Sequence, residues 1–160
     1  MDISYYVVGS TYYYTDKPSK DMFDQMASKN VVSLGWGMEM KMDLTPLYGK
    51  PHKEIVDYLK NKGASIKAYS SLKHFLSLKP DDIIAIKKWD GKGGIIVRGY
   101  ARVERRGRIY GFDKNVLGHM INVEFIEKDV YIPFPFNYSQ AIHHVTKPER
   151  IRKIFGTVLR

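Results

Sequence analysis

The sequence predicts an α+β fold in which a sheet is covered by short helices. Three strand patterns carry that prediction, at 82–88, 95–104 and 119–126, together with short amphipathic stretches between and around them. With 160 residues, 44% of them apolar and 27% charged, the chain has the size and composition of one folded domain spanning 1–160.

Ser4–Val8 reads as a first strand ended by Gly9-Ser10, and the run Tyr12-Tyr13-Tyr14 either extends it or forms an aromatic loop. From Pro18-Ser19 a helical pattern places Met22, Phe23, Met26 and Ala27 on one stripe, with Asn30 as its stop. Val31–Leu34 is apolar and brief, and Gly35-Trp36-Gly37 follows at once. A Trp between two glycines sits on backbone that turns sharply and admits a close ligand, or it plugs the core beside a bend. The stretch 38–50 has no period and reads as loop. Ile55, Val56 and Leu59 mark an amphipathic helix from His52 to Lys62, with Gly63 just beyond its end. A second short helix follows Tyr69-Ser70, with Leu72, Phe75 and Leu76 inward.

The strand 82–88 has a continuous apolar centre, which predicts burial on both faces. Asp90-Gly91-Lys92-Gly93-Gly94 is a hairpin connection tolerant of positive φ, with Trp89 at its tip, and makes 95–104 the antiparallel neighbour. Under strict alternation Val97, Gly99, Ala101 and Val103 share one face of this central strand, and Arg98, Tyr100 and Arg102 the other. Ile109–Phe112 leads through a loop to the strand 119–126, with Ile121, Val123 and Phe125 inward. Pro133 and Pro135 restrict 131–136 to an edge strand or loop. His143 and His144 are expected in a loop; on a strand they would face apart. Thr146 or Lys147 caps a final helix that opens on Pro148 and turns Ile151, Ile154 and Phe155 inward.

Composition narrows function. A formal net charge of +9 favours polyanionic partners. The absence of Cys excludes disulfides, thiolate zinc sites and thiol nucleophiles. No apolar run reaches the length of a membrane span and no signal-peptide pattern is visible, so a cytoplasmic protein with no membrane partner is expected. The five histidines have no metal-ligand spacing, and no P-loop, nucleophile elbow or dinucleotide fingerprint occurs. Pro80-Asp81 and Glu39-Met40-Lys41 stand in the wrong order for a nuclease that pairs Asp with Glu-x-Lys. No catalytic residue, metal or cofactor is expected. The basic groups form two sets, Lys87, Lys88 and Lys92 around the hairpin and Arg98, Arg102, Arg105, Arg106 and Arg108 along and after the central strand. They suit phosphate contacts; a solvated face with arginines for solubility is the other reading. The Tyr-rich segment 12–14 and Phe134-Pro135-Phe136 would serve equally as a protein-interaction surface.

Taken together, Tyr6-Val7-Val8-Gly9-Ser10, Trp36 after Leu34-Gly35, Arg98-Gly99-Tyr100-Ala101-Arg102-Val103, Leu117–Phe125 and Ile132-Pro133-Phe134 resemble the YTH and EVE domains of the PUA-like superfamily. The resemblance implies a curved mixed sheet or small barrel flanked by short helices, and an aromatic cage that accepts an extruded, often methylated, base. By position Trp36 looks like the first wall and Tyr110 the second, where the family often has Trp. Ser10 and Thr11 would read the base edge. Leu34-Gly35-Trp36-Gly37, Asp43-Leu44-Thr45 and Lys79–Ile86 are similar to the N-terminal DNA-recognition domain of McrB-type restriction GTPases. What the resemblance implies is a recognition module without a Walker motif of its own. It would bind modified DNA, with RNA or a modified RNA base as the alternative substrate, and the GTPase motor and nuclease would lie elsewhere in the system.

Overall fold

In a computed structural model, residues 2–14, 16–35 and 40–159 are described. They form a curled half-barrel of mixed sheet with four short helices, a small α+β domain. The strands are β1 (Tyr5–Gly9), β2 (Thr11–Tyr12), β3 (Lys20–Asp21), β4 (Val31–Leu34), β5 (Ile83–Trp89), β6 (Ile95–Val103), β7 (Tyr110–Asp113), β8 (Gly118–Glu127), β9 (Ile132–Phe134) and β10 (Ile142–Val145). The helices are α1 (Phe23–Lys29), α2 (His52–Asn61), α3 (Ile66–Phe75) and α4 (Pro148–Phe155). No described helix is long and apolar enough to cross a membrane.

The main sheet runs β10-β1-β5-β6-β8-β4, with β7 on β8 and β9 on β6, while β2 and β3 pair separately. β1 and β5 are parallel neighbours in register from Tyr5 opposite Ile83 to Gly9 opposite Lys87. The start of that register is pinned by Asp82, whose buried carboxylate accepts from the amides of Ser4 and Lys79 at 3.0 Å each and from Lys79 Nζ at 2.7 Å.

The continuous apolar run of β5 is explained by two cores, one on each face. Ile84 and Ile86 pack beneath α1, α2 and α3, and Ile83 and Ala85 pack on the side closed by Ile154 and Phe155 of α4. The helices follow their local signals, except that α1 opens at Phe23 rather than at Pro18-Ser19, because Lys20–Asp21 is recruited as β3 by pairing with β2. Asn30 ends α1 in the left-handed region at φ 53°, Gly63 follows α2 at φ 84°, and Pro148 opens α4. α3 starts earlier than its apolar stripe suggests, because the Ser65 hydroxyl caps it by accepting from the Ala68 amide at 3.2 Å.

Two further expectations fail for reasons of long-range pairing. Ile142–Val145 is a strand rather than a loop, recruited by antiparallel pairing to β1, and its two histidines do face apart: His143 lies against Tyr138 and His144 stacks on Tyr6. Strict alternation also fails in β6. Ile86 pairs with Gly99 and Lys87 with Val97, leaving Arg98 as the extra residue of a β-bulge. The bulge reverses the parity of the strand. Val97 and Tyr100 therefore share one core while Ala101 and Val103 belong to the other, and Arg98 no longer shares a face with Tyr100 and Arg102.

Candidate functional site

A cavity of about 420 Å³ opens at the C-terminal ends of the parallel pair β1 and β5. That volume falls in the range of small-molecule sites, ~300–1,000 Å³. Its walls come from the end of β1 with 11–14, the end of β4, the end of β5, and the loop 137–141 between β9 and β10. Its aromatic lining comes from Tyr12, Tyr13, Tyr14, Trp89 and Tyr138. Tyr13 and Trp89 are 74% and 59% exposed, so two large rings stand free at the mouth. Beside them Lys88 Nζ sits 5.3 Å from the centre of the Tyr131 ring, itself exposed.

Tyr12 forms the floor. Its hydroxyl lies 2.6 Å from Ser33 Oγ and 2.6 Å from the Leu117 carbonyl, which fixes the ring in place; burial pushes its ionisation above the ordinary tyrosine range. Gly35 lies flat against this ring: a Cβ there would stand 3.0 Å from Tyr12 Cγ. Gly9 similarly leaves room for the aliphatic end of Lys87, whose Cε would be 3.4 Å from a Cβ at that position.

Of the residues expected to hold a base, Thr11 lines the cavity. Ser10 does not. It is fully buried, and its hydroxyl donates to Asp21 Oδ1 at 2.8 Å and approaches the Lys87 carbonyl at 3.3 Å. Tyr110 is likewise not a wall among the described residues. It is 2% exposed, stacked between Tyr48 and His119, with its hydroxyl held by the Leu44 amide and His119. Trp36 lies outside the described residues; Gly35, just before it in the chain, borders the cavity.

The expected phosphate contacts divide into groups. Lys87, Lys88 and the exposed Lys92 gather at the cavity end of the β5–β6 hairpin. Arg98 is engaged: its guanidinium is 3.1 Å from Asp21 Oδ2 and 4.9 Å from the centre of the Phe23 ring. Asp21 thus occupies both Ser10 and Arg98. Arg102, Arg105, Arg106 and Arg108 lie toward or beyond the other end of β6, roughly 20 Å of strand from the partner of Lys87. Arg105 pairs with Asp81 and Arg108 bonds Thr45 Oγ1 at 2.9 Å. The arginines therefore do not form one rim with the lysines.

Lys87 itself is more than a surface charge. It is 8% exposed, lines the cavity, and burial draws its ammonium below the ordinary lysine range. The sequence marked Lys87 only as a backbone contact and left Tyr12, Tyr13, Trp89 and Tyr138 out of the site. A signal existed: three consecutive tyrosines after one strand and Lys-Lys-Trp at the end of another. Nothing local showed that parallel pairing would bring those two ends together. Among the described residues no group of three or more His, Asp or Glu side chains could hold a metal ion. Compared with known proteins, the chain matches no family model and no curated sequence.

Proposed function

We propose that the chain is a nucleic-acid-binding module that takes one extruded base of DNA into the cavity at the ends of β1 and β5. The observation that supports this most is the composition of that cavity. Five aromatic rings line it, two of them, Tyr13 and Trp89, stand exposed at its mouth, and lysines lie alongside. Aromatic faces stack on a base whatever its sequence, and such stacking contributes about 1–3 kcal/mol per base. That magnitude offsets the few kcal/mol needed to extrude a base from a duplex. Lys88 and the exposed Lys92 would meet the phosphates that flank an extruded nucleotide, contacts that position the strand without reading it.

The wider role, targeting for a McrB-type restriction GTPase and its nuclease, is supported by the sequence resemblance. In that role this chain supplies recognition and other components supply motor and cleavage. The test is a binding comparison at fixed salt among identical duplexes carrying N6-methyladenine, 5-methylcytosine or no modification, with an RNA of the same sequence. The reading expects a preference for one modified duplex that is lost in Trp89→Ala and Trp36→Ala while salt-dependent binding persists. Equal affinity for the three duplexes and no effect of either substitution would refute it; stronger binding of the RNA would move the substrate to RNA.

A further inference from the structure

Lys87 ends in the cavity with no partner for its charge. Among the described residues its ammonium makes no hydrogen bond and no ion pair, although more than nine-tenths of the residue is buried. An ammonium carries three donors and no acceptor. The stem of Lys87 is enclosed while Nζ stays open to solvent in the cavity, so a ligand there that brings an oxygen acceptor pairs with it. Its position favours such a contact, because Lys87 lies on the floor side beside Gly9, whose missing side chain leaves the amine clear.

We propose, as a refinement that rests on the base-binding reading above, that the cavity selects a base presenting a carbonyl oxygen to Lys87 Nζ. Cytosine, thymine, uracil and guanine each carry such an oxygen. Adenine and N6-methyladenine do not: their exocyclic amino group is a donor, and their acceptors are the ring nitrogens N1, N3 and N7. In 5-methylcytosine the O2 carbonyl and the C5 methyl lie on opposite sides of the ring, so the oxygen can meet Lys87 while the methyl meets an aromatic face. Burial of the side chain lowers its proton affinity, and an oxygen acceptor at Nζ would favour the charged form.

The test uses duplexes that differ in one nucleotide, placed opposite an abasic site so that unpairing is equally easy for all. That nucleotide is cytosine, 5-methylcytosine, thymine, adenine or N6-methyladenine, and a further probe is abasic on both strands. Wild-type protein should bind the carbonyl-bearing probes about tenfold more tightly than the adenine probes. Lys87→Met, close in length and uncharged, should bring that ratio to within about twofold. Base-dependent binding that favours adenine, or a ratio unchanged by Lys87→Met, would overturn the role of Lys87 and leave the base-binding reading standing. Equal affinity for every probe, the doubly abasic one included, would overturn both.

Discussion

The Tyr110 hydroxyl and Nδ1 of His119 are 2.6 Å apart, and the surrounding bonds settle which of them donates. His119 Nε2 lies 3.1 Å from the Met40 carbonyl, which only accepts, so Nε2 carries the proton and Nδ1 is the acceptor. Tyr110 donates to it, and the Tyr110 oxygen accepts from the Leu44 amide at 3.0 Å. The chain of bonds ties the segment 40–44 to β7 and β8 through side chains held in the interior.

Tyr110→Phe therefore tests stability rather than binding. It leaves the Leu44 amide and His119 Nδ1 without a partner, which should lower unfolding free energy by about 1–3 kcal/mol in urea titrations. Had Tyr110 been a wall of the proposed base cavity, the same change would be expected to alter any base preference and leave stability nearly intact.

Acid should weaken the fold through His119 and His74. Burial lowers both to about 4, from an ordinary 6.5, and the neighbouring His52, Lys73 and His144 add to the effect at His74. The unfolded chain takes up protons between those limits that the folded chain refuses. Stability is thus whole above about pH 6.5, falls as pH drops toward 4 and levels off below; for His119 alone the depression corresponds to ~3 kcal/mol. Urea denaturation across that window should follow this course, and an imidazole titration by NMR should leave His119 neutral at pH 5. A stability profile flat from pH 7 to 4 would contradict it.

Salt dependence should separate the two ends of the β5–β6 hairpin. Replacing Lys88 and Lys92 by Ala is expected to make the slope of log affinity against log salt shallower by about 2, close to one for each phosphate of duplex DNA that is no longer neutralised. Arg105→Ala with Arg106→Ala, beyond the far end of β6, should leave that slope unchanged. An equal fall in both variants would mean that the bound strand runs the length of the hairpin.

Gly35→Ala should damage both fold and cavity. The new Cβ meets the ring of Tyr12 at 3.0 Å, and that ring cannot yield because its hydroxyl is held by Ser33 and Leu117. A reduction in stability of about 1–3 kcal/mol is expected, as for other overpacked sites, with weaker base-dependent binding. Unaltered thermal unfolding would show that Tyr12 is freer than its two hydrogen bonds imply.

Much of the architecture was legible in the chain because its signals are local. The apolar centre of Ile83–Ile86 foretold a strand buried on both faces, the Gly91 and Gly93 hairpin adopts positive φ at both glycines, and Ile55 with Leu59 marked the buried stripe of α2. β10 was missed because His143-His144 has no strand period of its own and becomes a strand only by pairing with β1. The candidate site was legible in part. Thr11 and Lys87 border the cavity, while Ser10 and Tyr110 are held in the interior by partners 11 and 9 residues away in the chain.

By itself the sequence determined where most helices and strands lie, an α+β composition and a cationic chain rich in rings, since each depends on neighbouring residues or on a sum over the chain. Only the tertiary structure decided which rings and which cations meet. One unpaired residue, Arg98, shifts the parity of β6 and sends its neighbours to opposite cores, and the parallel pairing of β1 with β5 brings Tyr12 and Tyr13 to Lys87 and Trp89. Hydrogen-bonding register couples residues 78 positions apart in the chain, a distance over which periodicity carries no information.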